Sequence, residues 1–118
     1  MIWAKLGAAL MFLAVMLGAF GAHALRAKLS DQYMEVYKTA VLYHMIHALG
    51  LFVIAWMSTV TADQKVNLAG YFLLAGIVLF SGSLYALSIT SIKWLGAITP
   101  LGGVSFLIGW TLLLFIKF

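Results

Sequence analysis

The sequence has no cysteine, a single proline and only three acidic residues in 118 positions. Without cysteine there are no disulfides, no thiolate metal sites and no iron–sulfur clusters. The thiol–disulfide chemistry of some small four-helix membrane enzymes is excluded for the same reason. Charge of either sign is scarce: 8% of residues are charged and 65% are hydrophobic, whereas a soluble globular domain runs near 25% charged and 45–50% apolar. The net charge of +4 comes largely from lysines at the ends of apolar runs, where their stems can lie along lipid and their ammonium groups reach water. No basic patch on a soluble face exists to bind nucleic acid.

What is present is long and apolar. Charges fall at Lys5, then Arg26, Lys28, Asp31, Glu35 and Lys38, then Asp63 and Lys65, then Lys93 and Lys117. Between them lie four charge-free runs, Leu6–Leu25, Thr39–Ala62, Val66–Ile92 and Trp94–Ile116, each of 20 or more residues. About 20 residues at 1.5 Å rise cross a ~30 Å hydrocarbon core. A helix satisfies its own backbone there, so the expected fold is an all-α membrane protein. It is an antiparallel four-transmembrane-helix bundle, a single domain over 1–118 with helices at about 3–25, 39–60, 66–91 and 94–117. A short interfacial amphipathic helix is expected between the first two, at about 29–38. There Leu29, Tyr33, Val36, Tyr37 and Ala40 follow a helical stripe, and Ser30 is the expected N-cap with Asp31 in the first turn.

Met1–Leu25 has features of a signal peptide, including the small-x-small Ala22-His23-Ala24, but its apolar run exceeds the usual 7–15 residues. It reads as a retained first helix. Ala14, Gly18 and Ala22 lie four apart on one face of it, a small-residue seam for close helix approach. Trp56 and Trp94 suit the membrane–water boundary.

The first helix ends, the second begins, the third ends and the fourth begins on one side of the membrane. That leaflet therefore gathers His23, His44, His47, the serines and tyrosine of Ser81-Gly82-Ser83-Leu84-Tyr85, and Thr99-Pro100-Leu101-Gly102-Gly103. The opposite leaflet reads as nearly featureless. Arg26, Lys28, Lys38 and Lys93 stand on the polar-end side, and Lys5, Lys65 and Lys117 with the amino terminus on the other, so the positive-inside rule does not decide orientation.

His44 and His47 are three apart and share a face; His47 lies roughly 13 Å along the helix from Lys38. An ionisable residue at membrane depth is expensive and faces the bundle interior. Ser81, Tyr85 and Ser88 share a face of the third helix and can reach the imidazoles. The expected ligand-binding set is thus His23, Arg26, His44, His47, Ser81, Tyr85 and Ser88, with Arg26 at its mouth. The alternative is that these groups only fix helix register through interhelical hydrogen bonds worth about 0.6 kcal/mol each. Ala14, Gly18, Ala22, Gly102 and Gly103 are expected as packing positions, Gly102 and Gly103 alternatively marking a locally unwound helix start.

The segments GAFGAHAL, YHMIHALGLF, FSGSLYAL and LGAITPLGGVSFLIGW, in that order over nearly the whole chain, resemble the domain-of-unknown-function family 423. These are small bacterial inner-membrane proteins of the YgdD/YwdK type, to which the eukaryotic small transmembrane protein 256 is similar. The resemblance implies a multi-pass protein of the bacterial cytoplasmic membrane. It brings with it no catalytic residue, substrate or cofactor.

The functional expectation is a non-enzymatic accessory or interaction protein in the lipid bilayer, with no cofactor and no catalytic residues. It would act as a homo-oligomer or within a larger membrane complex, its polar end binding a partner or lipid-like ligand. The rival is a His-centred site for a quinone, a lipid headgroup, haem or a metal. A small transporter is disfavoured, because all three acids lie in loops.

Overall fold

Each charge-free run becomes one membrane-length helix. The computed structural model describes residues 2–118. It contains α1 (Ile2–Leu25), α2 (Asp31–Val60), α3 (Lys65–Thr90) and α4 (Thr99–Leu114), the last preceded by a short 3₁₀ segment, Lys93–Ala97. With the 3₁₀ segment the fourth span runs Lys93–Leu114, and among the described residues four helical spans are long and apolar enough to cross a membrane. The polar stretch expected as a separate interfacial helix is instead the opening of α2, which runs unbroken for 30 residues. At 1.5 Å per residue that is about 45 Å, enough to cross both the hydrocarbon and the headgroup layer. Nothing in Asp31–Thr39 breaks a helix, so no boundary forms where polarity changes. Ser30 caps α2 through its hydroxyl, which accepts from the Tyr33 amide at 3.2 Å.

Successive helices are antiparallel. Gly7 meets Ala48 and Gly18 meets Val41 between α1 and α2. Gly50 meets Leu73, and Ser81 reaches Ala40, between α2 and α3. Gly76 meets Phe106 between α3 and α4. The apolar core lies where α2, α3 and α4 converge, on Leu51, Ile54, Leu73, Ile77 and Phe106. α1 is peripheral: 6% of its apolar stretch is buried, against 50% for α2.

Two helices carry a π-helical turn, Leu17–Gly21 in α1 and Ile77–Ser81 in α3. In the first, the Leu17 carbonyl accepts both the Ala22 amide and the Tyr37 hydroxyl of α2, the latter at 2.5 Å. A Cβ on Gly21 would collide with that hydroxyl. Glycine at 21 is therefore what lets Tyr37 reach the widened turn. The expected seam of Ala14, Gly18 and Ala22 is thereby shifted. Ala14 is fully buried and Gly18 touches Val41, but Ala22 is only half-buried and the continuing contacts fall on Gly7 and Gly21.

The end expected to be featureless is in fact closed by polar groups. Trp3 Nε1 donates to Asn67 Oδ1 at 2.7 Å, joining α1 to α3. Asp63, in the α2–α3 turn, accepts from the Lys65 amide at 3.0 Å and the Lys117 amide at 2.9 Å. These amides hold its carboxyl below the usual carboxylate range, and the Lys65 ammonium adds to the effect. Thr61 Oγ1 donates to the Lys117 carbonyl at 2.6 Å, so the turn grips the chain beyond α4.

Candidate functional site

The three histidines do not converge. His44 and His47 are both buried, but His23, on the outer side of the last turn of α1, is exposed. The expectation placed His23 by its leaflet, and a shared leaflet sets depth without setting which way a side chain faces. Arg26 is likewise exposed.

His44 and His47 lie three residues apart and sit about 60° apart around α2, which sends them to different neighbours. His44 Nδ1 pairs with the Tyr85 hydroxyl of α3 at 2.9 Å. Its Nε2 is buried without a hydrogen bond. His47 turns to α4: Trp110 Nε1 donates to its Nε2 at 3.0 Å, while its Nδ1 meets the Tyr43 carbonyl at 2.8 Å. An indole N–H only donates and a carbonyl only accepts. Both bonds form only if His47 is neutral with the proton on Nδ1. Its ring also stacks on Phe106, centroids 3.5 Å apart and planes 11° apart. His47 thus has both nitrogens engaged and one face covered.

Of the hydroxyl groups expected to meet the imidazoles, only that of Tyr85 does. Ser81 donates to the Ala40 carbonyl at 2.8 Å, tying α3 to the α2 backbone. Ser88 bonds back to the Tyr85 carbonyl at 3.0 Å within its own helix. Ser83 pairs with Thr99 at 2.6 Å across the α3–α4 connection. Among the described residues no three His, Asp or Glu side chains form a group able to hold a metal.

Gly102 and Gly103, adjacent in sequence, play unlike parts. A Cβ on Gly102 would strike the Phe80 backbone at the α3 π-turn, so glycine there allows main-chain approach. Gly103 would meet nothing closer than 3.9 Å. It lines a groove instead, and the helix is regular at both positions, which rules out an unwound start.

That groove, about 680 Å³, lies between α2 and α4 and is lined also by Phe80 and Phe106. Its α2 wall is Leu42, Tyr43, Ile46 and His47; its α4 wall is Gly103, Val104, Leu107 and Trp110. Leu42, Ile46, Val104 and Leu107 are exposed at its rims, so it opens sideways at hydrocarbon depth. Phe106 and Trp110 are groove-lining residues that sequence reasoning passed over. The stripe Gly103, Phe106, Trp110 at i, i+3, i+7 was the available signal. A smaller hollow of about 270 Å³ lies at the α1–α2 junction, lined by Ala22, Arg26, Leu29, Asp31, Met34 and Lys38.

Comparison with known proteins agrees with this architecture. A family model described as protein of unknown function (DUF423) matches residues 17–103. The chain is 57% identical over 109 residues to the UPF0382 membrane protein YwdK of Bacillus subtilis, covering 92% of this chain and 89% of that protein. A UPF0382 membrane protein of Staphylococcus epidermidis is 55% identical over 108 residues, with 92% and 88% covered. One of Staphylococcus haemolyticus is 51% identical over 113 residues, with 96% and 92% covered. No solved structure matches. The matched region holds both π-turns, both buried histidines and Gly102, and the chain belongs to the DUF423 family of multi-pass bacterial membrane proteins.

Proposed function

We propose that this chain is a non-enzymatic membrane protein whose α2–α4 groove takes up an acyl chain laterally from the bilayer. The observation that carries the reading is the groove itself: its volume of about 680 Å³ falls in the range of small-molecule sites, and its walls are almost wholly apolar. In hydrocarbon such a hollow is filled by whatever chain fits it best. Within this reading His47 acts as support. Its bond to Trp110 and its stack on Phe106 set the shape of the wall, and neither nitrogen is left to bind haem, a metal or a quinone oxygen. Neither His47 nor Ser81 is free for catalysis in this reading, since the lone pair of His47 is committed to Trp110 and Ser81 donates to a backbone carbonyl.

A phospholipid carrying a photoactivatable diazirine in its acyl chain tests the proposal. After irradiation of the reconstituted protein, adducts should concentrate on Leu42, Ile46, Val104 and Leu107. They should be several-fold above those on Phe12 and Leu13, which are exposed on α1 outside the groove. Gly103→Leu, which projects a side chain into the groove, should reduce the groove adducts. Equal labelling of groove and α1 rejects the reading.

A further inference from the structure

Arg26 is the first charge after the apolar run of α1, and Lys38 is the last before the apolar run of α2. Both therefore stand at one membrane boundary, where phosphate groups of the lipids lie. They line the same 270 Å³ hollow. Arg26 has no carboxylate within ion-pairing distance among the described residues, and the one pair made by Lys38, to Glu35 at 3.6 Å, is between highly exposed groups. Exposed pairs of that kind contribute little, so both cations remain available. Asp31 in the same hollow leaves it with a net single positive charge.

The helix then connects this hollow to the groove. Lys38, Leu42 and Ile46 are spaced by four, so they form one stripe down α2, each about 6 Å below the last. Lys38 lines the interfacial hollow; Leu42 and Ile46 line the groove. A molecule with an anionic head and an apolar tail matches that succession, charge at the boundary and hydrocarbon beneath.

We infer that the occupant of the groove is an anionic glycerophospholipid, its phosphate held by Arg26 and Lys38 at the α1–α2 junction and one acyl chain running past Leu42 and Ile46 into the α2–α4 groove. This rests on the groove reading above and names its ligand. A guanidinium offers paired N–H donors to phosphate and an ammonium supplies a point charge; the two together suit a phosphodiester oxygen pair.

The test is native mass spectrometry of the full-length protein in mild detergent, titrated with dioleoylphosphatidylglycerol and, separately, with dioleoylglycerol, which has the same chains and no phosphate. The phosphatidylglycerol should bind about tenfold more tightly, the scale expected of basic groups meeting an anionic lipid head. Arg26→Gln/Lys38→Gln should bring it down to the level of dioleoylglycerol. Lys28→Gln, which alters an exposed charge outside the hollow, should leave the preference intact. Gly103→Leu should weaken both lipids while the preference persists. The inference is overturned if the double variant keeps the wild-type preference, or if Lys28→Gln abolishes it. If Gly103→Leu leaves both lipids bound as before while the double variant loses phosphatidylglycerol, the groove reading fails and the head site stands alone. That too overturns a lipid spanning the two.

Discussion

The α1–α2 contact and the α3–α4 contact solve the same problem, bringing apolar helices together in a solvent as apolar as they are, by different means. α3 and α4 approach backbone to backbone: Gly102 lies against the main chain of Phe80, and Ser105 Oγ donates to the Phe72 carbonyl at 2.7 Å. α1 has few large buried side chains; small residues at Gly7, Ala14 and Gly18 bring it along α2, and a polar contact fixes each of its ends. At one end Trp3 bonds to Asn67 of α3; at the other Tyr37 enters the π-turn at Leu17. Close packing between α3 and α4 gains dispersion contacts along a continuous line, the main source of helix association in lipid. On α1 that packing involves small residues, and the hydrogen bonds at its two ends, which contribute less each, add to it. The two buried histidines also differ. His47, toward α4, is fully bonded and stacked, whereas His44, bonded to Tyr85 of α3, keeps one buried nitrogen without a partner.

This contrast predicts a ranking. Gly102→Leu should have the largest effect, about 3 kcal/mol or more, because the side chain meets backbone that cannot rotate away; an unfolding titration in mixed micelles measures it. A loss under 1 kcal/mol would mean that α3 and α4 can separate without penalty, and the contrast would fail. His47→Leu should come next, at about 1–2 kcal/mol, since it strands the Trp110 N–H and removes the stack on Phe106. His44→Leu should cost distinctly less, because removal of the unpartnered nitrogen offsets part of the lost bond to Tyr85. The two variants compared in one titration sharpen the point, and a reversed order would break it.

The smallest effect is expected at the α1 pin. Tyr37→Phe should lower stability by about 0.6–1 kcal/mol. Gly21→Ala alone should lower it further, by placing a methyl group against the Tyr37 hydroxyl. The double variant Gly21→Ala/Tyr37→Phe should be more stable than the sum of the single losses, since the clash disappears with the hydroxyl. Strict additivity in that cycle would show that the two groups do not meet.

Much of the fold was legible because charge in a membrane chain is punctuation. Lys5, Arg26, Lys38, Asp63, Lys65, Lys93 and Lys117 bracket the spans, and no tertiary contact can move a run of 20 apolar residues out of the bilayer. The Ser30 cap was legible for a similar reason, since a cap depends on neighbours a few residues away. The site was less legible. His44 and His47 read correctly as interior because burying them without partners is expensive, but which helix each would face depended on the packing of α3 and α4. His23 was expected inward because its depth matches that of the other two, but depth follows from connectivity and facing does not; the structure leaves it exposed. The 30-residue α2 was divided in two because polarity changes at Lys38 while backbone geometry does not.

The sequence by itself determined four spans, their alternating directions and the side on which the histidines lie, because these follow from hydrophobic length and chain connectivity. Only the tertiary structure decided that Gly102 serves a backbone contact while Gly103 opens a groove. It likewise decided that His47 is a bonded wall and that Lys38 and Arg26 share a hollow. Those outcomes depend on rotation of each helix about its own axis. That rotation is set by which side chains of neighbouring helices interdigitate, a property of pairs of segments that no single segment encodes.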